Sequence, residues 1–314
     1  MKVKVSTIAF SKNQYLVGSL LREFPDAVVN TAGVRMNDDA FVDYFSEADA
    51  AIIGLELITP AILDRLPNLR MLAKYGVGLD NVDLEACRQR GVTVGWTGGV
   101  NKRSVAEMAL GFMLALSRNL YVTSNQLKSG TWNKNGGTQL SGKTVGIIGL
   151  GYIGKELAGL LRPFGCTILV NDILDVSAYA EAHGLECVSR EDLAERADVI
   201  SIHTPLTKET TNLFDAALLR RMKPTAFLIN TARGGIVNEG DLKRALQEGV
   251  IAGAALDVYH TEPPVDQELL NLPNLICTPH TGGNSYEAVV AMGVSAIEHL
   301  VAYRDKTNNR KEHE

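Results

Sequence analysis

Thr144-Val145-Gly146-Ile147-Ile148-Gly149-Leu150-Gly151-Tyr152-Ile153-Gly154 is the stretch on which the reading of this 314-residue chain turns. Its first five residues are an apolar, β-branched run that predicts a buried strand over 144–148. Three glycines follow at G-x-G-x-x-G spacing and lead into a helical pattern. In that context the first two glycines permit a tight turn and close approach of backbone to a pyrophosphate, which then rests on the positive end of the helix. Gly149, Gly151, Tyr152, Ile153 and Gly154 are therefore candidate contacts for a dinucleotide. For the glycines alone, a strand-to-helix turn without a ligand is the plainer alternative.

A carboxylate decides more. The next strand pattern, 167–171, is followed by Asp172, about 20 residues beyond the glycines as the motif requires. An acid there binds both ribose hydroxyls and repels the additional phosphate of NADP, and residues 173–178 hold no Arg or Lys to receive that phosphate. NAD is the cofactor expected. FAD is disfavoured, because flavoproteins with this motif usually carry it at the chain start.

Working outward, strand patterns at 199–203, 226–230 and 252–256 continue the series, with helical segments separating them. Before it, β-branched runs at 4–8, 27–30, 50–54, 71–74 and 92–95 alternate with helical patterns such as 14–23 and 84–89. Alternation of this kind means parallel sheets covered by helices, an α/β fold. Val105, Met108, Ala109, Phe112, Met113 and Leu116 predict a helix over 105–120, continuing toward Trp132, with Ser104 and Glu107 as its capping signal. The domain change is placed at its entrance. A last amphipathic helix is expected over 286–303, before a polar tail, 306–314, read as frayed.

Composition narrows the classes. The chain is 46% hydrophobic, enough for two cores, and its net charge of −5 is spread without basic blocks. No nucleic-acid partner is expected. Cys87, Cys166, Cys187 and Cys277 lie far apart with no CxxC pair, so neither a metal site nor a disulfide framework is written here. The first ten residues, with two lysines inside a short alternating apolar run, read as an opening strand because a secretory signal needs a longer apolar core and a cleavage site, and no apolar run reaches the ~18 residues a bilayer requires. A cytoplasmic protein with no membrane partner is the expectation.

Polar residues cluster where the later strands end. His203-Thr204-Pro205, Thr231-Ala232-Arg233 and Asp257 with Glu262 fall there, and Thr278-Pro279-His280-Thr281-Gly282-Gly283 adds a histidine beside two glycines. The carboxyl ends of parallel strands face the ligand crevice of such sheets, so these residues converge on the cofactor. Taken singly, Arg233 reads as a solvated turn residue, Glu262 as a loop charge and His280 as a satisfied histidine.

Together the segments resemble the D-isomer-specific 2-hydroxyacid dehydrogenases, in particular phosphoglycerate-dehydrogenase-like members without a C-terminal regulatory domain. The resemblance covers nearly the whole chain and is carried by Tyr75-Gly76-Val77-Gly78-Leu79-Asp80-Asn81-Val82-Asp83, the glycine motif, the His203 segment, residues 230–235, 256–264 and 278–283. It implies two doubly wound parallel-sheet domains, a Rossmann NAD-binding domain over 101–284 inserted in a flavodoxin-like substrate domain formed by 1–100 and 285–314. Arg233 is implied to hold the substrate carboxylate and polarise the carbonyl, His280 to shuttle the proton, and Glu262 to orient and charge the imidazole. Val77 and Gly78 are implied to offer N–H groups to the carboxylate, and Asn101 to line the site. His203, Thr204, Pro205, Thr231, Ala232, Asp257, His280 and Gly282 join the glycines and Asp172 as cofactor contacts. His183, His260, His299 and His313 fall outside the motifs and read as surface or structural. A two-fold homodimer through the region after Ser104 is also implied.

The chain departs from the family's best-known activity at one place. Several phosphoglycerate dehydrogenases carry arginine in the segment matching residues 53–59, which here holds Glu56 and no basic residue. An unphosphorylated 2-oxo acid such as glyoxylate or hydroxypyruvate is therefore favoured, unless Lys74 or a partner subunit supplies the charge. D-3-phosphoglycerate oxidation remains the alternative. Because the chain stops near Glu314, serine feedback through an added domain is not expected. Formate dehydrogenases are disfavoured because they carry glutamine where Glu262 stands. An NAD-sensing corepressor-like binding protein is the alternative of another class, weakened by the lack of long polar tails.

Overall fold

The computed structural model of the chain describes residues 1–311. By its contacts the chain divides into two compact units, Met1–Asn101 with the stretch from Asn284 onward, and Lys102–Gly283.

The first unit contains, in order, β1 (Val3–Val5), α1 (Ile8–Lys12), α2 (Gln14–Glu23), β2 (Val28–Val29), α3 (Asp38–Phe45), β3 (Ala50–Ile53), α4 (Pro60–Asp64), β4 (Met71–Lys74), α5 (Leu84–Gln89) and β5 (Thr93–Gly95). All strand pairs are parallel, in the order β2-β1-β3-β4-β5, which is the flavodoxin-like arrangement. Both faces of a parallel sheet must be covered, and β3 and β4 are buried at every position. Asn13, Asn37, Thr59 and Asp83 each accept from a backbone N–H two or three residues into a helix, so the starts of α2 to α5 are written in side chains that cap. The expected strand 4–8 is shorter than its pattern. Ser6 still donates to Ile52 O, but Ile8 opens α1, and the helix carries Phe10 into the core at 0% exposure.

The second unit runs α6 (Lys102–Ser117), α7 (Leu120–Lys128), β6 (Thr144–Ile148), α8 (Tyr152–Leu161), β7 (Thr167–Asn171), α9 (Ser177–His183), β8 (Glu186–Cys187), α10 (Arg190–Arg196), β9 (Val199–Ile202), α11 (Ala216–Leu219), β10 (Phe227–Asn230), α12 (Glu239–Gln247), β11 (Gly253–Leu256), α13 (Gln267–Leu270) and β12 (Leu275–Cys277). Its seven parallel strands are ordered β12-β11-β10-β9-β6-β7-β8, a doubly wound Rossmann sheet whose direction of winding reverses between β6 and β9. Successive strand residues serve opposite faces: Ile200, Leu228 and Ala254 enter one core cluster, while Val199, Ile229 and Ala255 enter the other. The short strands β8 and β12 had no separate signal in the sequence.

One expectation fails here. The helix predicted over 105–120 and toward Trp132 is two helices, α6 and α7, meeting at a bend of 62°. Asn119 adopts a left-handed conformation, φ 51°, and the chain at 135–138 crosses the end of α6. There Thr138 N donates to Ser117 O at 2.7 Å, taking up a carbonyl that a continuing helix would need, and Arg118 Nε holds the crossing segment by donating to Gly136 O at 2.9 Å. Trp132 lies beyond α7 and is 76% exposed. Ser104 is no cap either, since α6 already begins at Lys102; its hydroxyl donates to Gly282 O at 2.6 Å. No single helix among the described residues is long and apolar enough to cross a membrane.

The chain returns to the first unit as α14 (Tyr286–Lys311). Met292, Ala296, Ile297 and Leu300 complete the cluster formed by Val3, Ile52, Met71 and Leu16. The tail expected to fray from residue 306 is helical through Lys311, and the remainder of that tail, with His313, lies outside the described residues.

Candidate active site

Sheet register decides which side chains meet. Ile148 pairs with Asn171 on one side and Ile202 on the other; Ile202 pairs with Asn230, Asn230 with Leu256, and Leu256 with Cys277. The residues directly after these six are Asp172, Gly149, His203, Thr231, Asp257 and Thr278. They form one row along the carboxyl edge of β7, β6, β9, β10, β11 and β12, although they span 130 positions of sequence, from 149 to 278.

The glycine loop follows β6, second from the β7 end of this row. Gly149 has φ +91°, and a Cβ there would lie 2.6 Å from His203 O, so both conformation and space exclude a side chain. A Cβ on Gly154 would collide with Gly149 O, which is why α8 can start this close to β6. At Gly151, the residue before Tyr152 and Ile153, a Cβ would meet nothing within 4 Å, and no side chain caps α8. That is open space over a helix N-terminus, the requirement of a pyrophosphate. Asp172 braces the loop: its carboxylate accepts from Leu150 N at 2.6 Å and from Leu174 N at 2.9 Å, and it borders a concavity with Val176, Ser177 and Val188.

Two orphaned atoms lie on the β9 side of the loop. His203 bonds Ser201 Oγ through Nε2 at 2.9 Å, whereas its buried Nδ1 and the buried Thr231 Oγ1 have no hydrogen-bond partner among the described residues. Unpaired buried polar atoms at adjacent strand ends fit a polar cofactor rather than a closed core. Of the other expected contacts, Thr204 is half-buried and Pro205 exposed, while Ala232 is buried with its N–H on Asn230 Oδ1 at 3.0 Å.

Burial pulls the His203 pKa down to about 3, so this imidazole is neutral and unsuited to proton shuttling near pH 7. The unfolded chain then binds a proton that the folded one refuses, so stability falls as pH drops below about 6.5, by up to ~1.4 kcal/mol per unit. Urea unfolding of His203→Asn and the parent protein at pH 7 and pH 5 should show a smaller acid loss in the variant; equal losses would contradict the assignment.

Arg233 sits on a turn that its neighbours hold. Asn230, 1% exposed, donates from Nδ2 to Arg233 O at 2.9 Å while its Oδ1 accepts from Ala232 N. Arg233 Nη1 donates to Ala232 O at 2.8 Å. Any Cβ on Gly234 would collide with Tyr259 O, so only glycine lets this turn press against the segment that leads to Glu262. Glu262, whose bond to Pro263 is cis, accepts from Tyr259 N and approaches His280 Nδ1 at 2.9 Å through Oε2 and 3.1 Å through Oε1.

His280 itself has φ 53°, an uncommon conformation for a residue with a side chain. Asp257 enforces it. That residue is 1% exposed; its carbonyl accepts from His280 N at 2.8 Å, and its carboxylate accepts from Thr278 Oγ1, Thr281 N and Gly282 N at 2.6, 2.8 and 2.8 Å. The sequence reading placed Asp257 among cofactor contacts and missed this clamp, together with the roles of Asn230, Thr278 and Ser104. A lone acid at the end of the apolar run 252–256 was the available signal.

In the first unit Val77 and Gly78 are half-buried on the turn after β4, where Gly76 has φ +130°. Asn101 is 8% exposed with an unpartnered Oδ1 among the described residues. Beside that turn, Lys74 Nζ donates to Gly54 O and to Asn81 Oδ1, Asn81 Nδ2 donates to Gly54 O and Glu56 O, and the Glu56 carboxylate folds back onto Gly54 N at 2.6 Å.

Comparison with known proteins gives this geometry its context. Residues 110–282 match the NAD binding domain of the D-isomer specific 2-hydroxyacid dehydrogenases. The chain belongs to that family. A glyoxylate reductase of Thermococcus litoralis is 37% identical over 267 residues, 82% of this chain and 81% of the relative. A D-3-phosphoglycerate dehydrogenase of Methanocaldococcus jannaschii is 36% identical over 286 residues, 90% of this chain but 54% of the relative. This chain thus spans about half the length of the phosphoglycerate dehydrogenases it matches. The crystal structure of the TT0316 protein of Thermus thermophilus superposes with a TM-score of 0.88 at 32% identity, covering 98% of this chain and 97% of that one. In family terms the row of strand ends belongs to an NAD-binding domain, and NAD is the group that the orphaned atoms and the glycine loop fit.

Proposed function

We propose that the protein is an NAD-dependent D-2-hydroxyacid dehydrogenase, or 2-oxoacid reductase, acting on a small unphosphorylated acid of the glyoxylate or hydroxypyruvate kind. The observation that carries this is the Glu262–His280 pair, held at the end of the same sheet as the glycine loop. When bound, NAD supplies or accepts the hydride. Arg233 binds the substrate carboxylate and polarises the carbonyl with a permanently charged fork of donors. Because Nδ1 faces Glu262, Nε2 is the nitrogen of His280 that gives its proton to the carbonyl oxygen in reduction and takes it back in oxidation. Glu262, on Nδ1, fixes the orientation of the ring. The N–H groups of Val77 and Gly78 are further proposed holders of the carboxylate, and Asn101 is proposed to line the site. In domain terms, residues 101–284 bind the cofactor, and 1–100 with 285–314 bind substrate.

Support for an unphosphorylated substrate comes from Glu56 and from the commitment of Lys74 to Gly54 O and Asn81 Oδ1. We further propose a cytoplasmic homodimer without nucleic-acid or membrane partners. No residue of α7 is buried, Leu120, Tyr121, Leu127 and nearby Trp132 are exposed, and the four cysteines are free. The test is turnover of glyoxylate, hydroxypyruvate and 3-phosphohydroxypyruvate with NADH and with NADPH, beside the mass in solution. Preference for the phosphorylated acid would overturn the substrate class, and inactivity toward all three the enzyme reading.

A further inference from the structure

Trp96 stands directly after β5, and its indole Nε1 donates to Val77 O at 2.8 Å. That carbonyl and the Gly78 N–H belong to one peptide, which is trans, since the cis bond found among the described residues is Glu262–Pro263. A trans peptide is a rigid plane whose C=O and N–H point in opposite directions. A donor fixed on the carbonyl therefore fixes where the N–H points. We infer that Trp96 is a positioning residue, holding the Val77–Gly78 peptide so that the Gly78 N–H is presented to the substrate carboxylate. This rests on the carboxylate-binding role proposed above for Val77 and Gly78.

The turn needs such a support. Gly76 and Gly78 flank Val77, and a segment with two glycines has many peptide orientations of similar energy. Trp96 itself rests on firm ground. Thr97 Oγ1 meets His299 Nε2 at 2.9 Å, and a Cβ on Gly95 would lie 2.5 Å from His299 Cβ, so the backbone on both sides of the indole is seated on α14. Incomplete burial sets Trp96 apart from the core aromatics. At 38% exposure it is held by its N–H as much as by packing, the behaviour of an amphipathic ring whose polar end has work elsewhere.

The test separates the indole N–H from the indole ring. In Trp96→Phe, and in a protein carrying the isosteric benzothienylalanine at position 96, KM for glyoxylate should rise about fivefold to twentyfold, with kcat and the NADH dissociation constant within about twofold of the parent. A merely structural role would instead lower thermal stability, kcat and NADH affinity together. With Trp132→Phe as background, Trp96 is the one remaining tryptophan, and oxamate binding should shift its emission. Unchanged KM in the benzothienylalanine protein, with normal turnover by the parent, overturns the Trp96 assignment alone. Absence of 2-oxo acid turnover in the parent overturns the proposed activity and the assignment with it.

Discussion

Replacing Arg233 with alanine is expected to lower kcat/KM for a 2-oxo acid on the order of a thousandfold or more, with NADH binding kept within a few fold. Charge is the reason. A carboxylate and a carbonyl becoming an alkoxide both need donors, and the guanidinium is the permanently charged fork at this turn. Removing one fixed donor to a developing oxyanion costs on the order of a hundredfold to a thousandfold, and here the ground-state carboxylate loses its partner as well. The backbone should not move, because Asn230 grips Arg233 O and Ala232 N through main-chain atoms that alanine keeps. NADH titration by cofactor fluorescence, run beside steady-state kinetics, checks both halves. Unaltered activity would remove the central claim of the proposed function.

Asp257→Ala should damage stability and catalysis together. Its buried carboxylate satisfies three donors, Thr278 Oγ1, Thr281 N and Gly282 N, and alanine leaves all three without it. Leaving a buried donor without its acceptor costs about 1–3 kcal/mol, and Gly282 N is buried while the other two donors are partly so. The loop it releases carries His280, so activity should fall on the order of a hundredfold or more as the imidazole loses its set distance from Glu262. Asp257→Asn gives the graded comparison. With its amide oxygen toward Thr278 and Thr281, asparagine turns an NH2 donor toward the Gly282 N–H, so its losses in urea unfolding and in kcat should lie between those of the parent and of alanine. Wild-type stability in the alanine variant would contradict the clamp.

What the sequence disclosed follows from where information is local. The strand, glycines, helix and acid from Thr144 to Asp172 are contiguous, and each has a steric or electrostatic reason readable from residue type; β6 and β7 appear at their expected bounds. Arg233 and Glu262 stood out as candidates because each follows a predicted strand end, and His280 because it stands beside two glycines in a segment that resembles the family's. Their partners were less legible. Ser104 and Glu107 matched a capping box, yet the hydroxyl is taken by Gly282 O, a contact made across 178 positions that no local pattern encodes. The break at Asn119 has the same origin, since the chain returning at 135–138 claims the end of α6. Asp257 reads from the sequence as a ligand contact, and the three donors gathered by its carboxylate become visible only in the fold, because they lie more than 20 positions away.

The backbone of His280 limits what may replace it. Among residues with side chains, asparagine enters that region of φ and ψ most readily, while β-branched and bulky residues resist it. A scan of position 280 would therefore mix two kinds of failure, lost acid and lost loop, in nearly every substitution. His280→Asn separates them. It removes the titrating group at little conformational cost, which makes it the variant suited to capturing an unreacted complex of cofactor and 2-oxo acid.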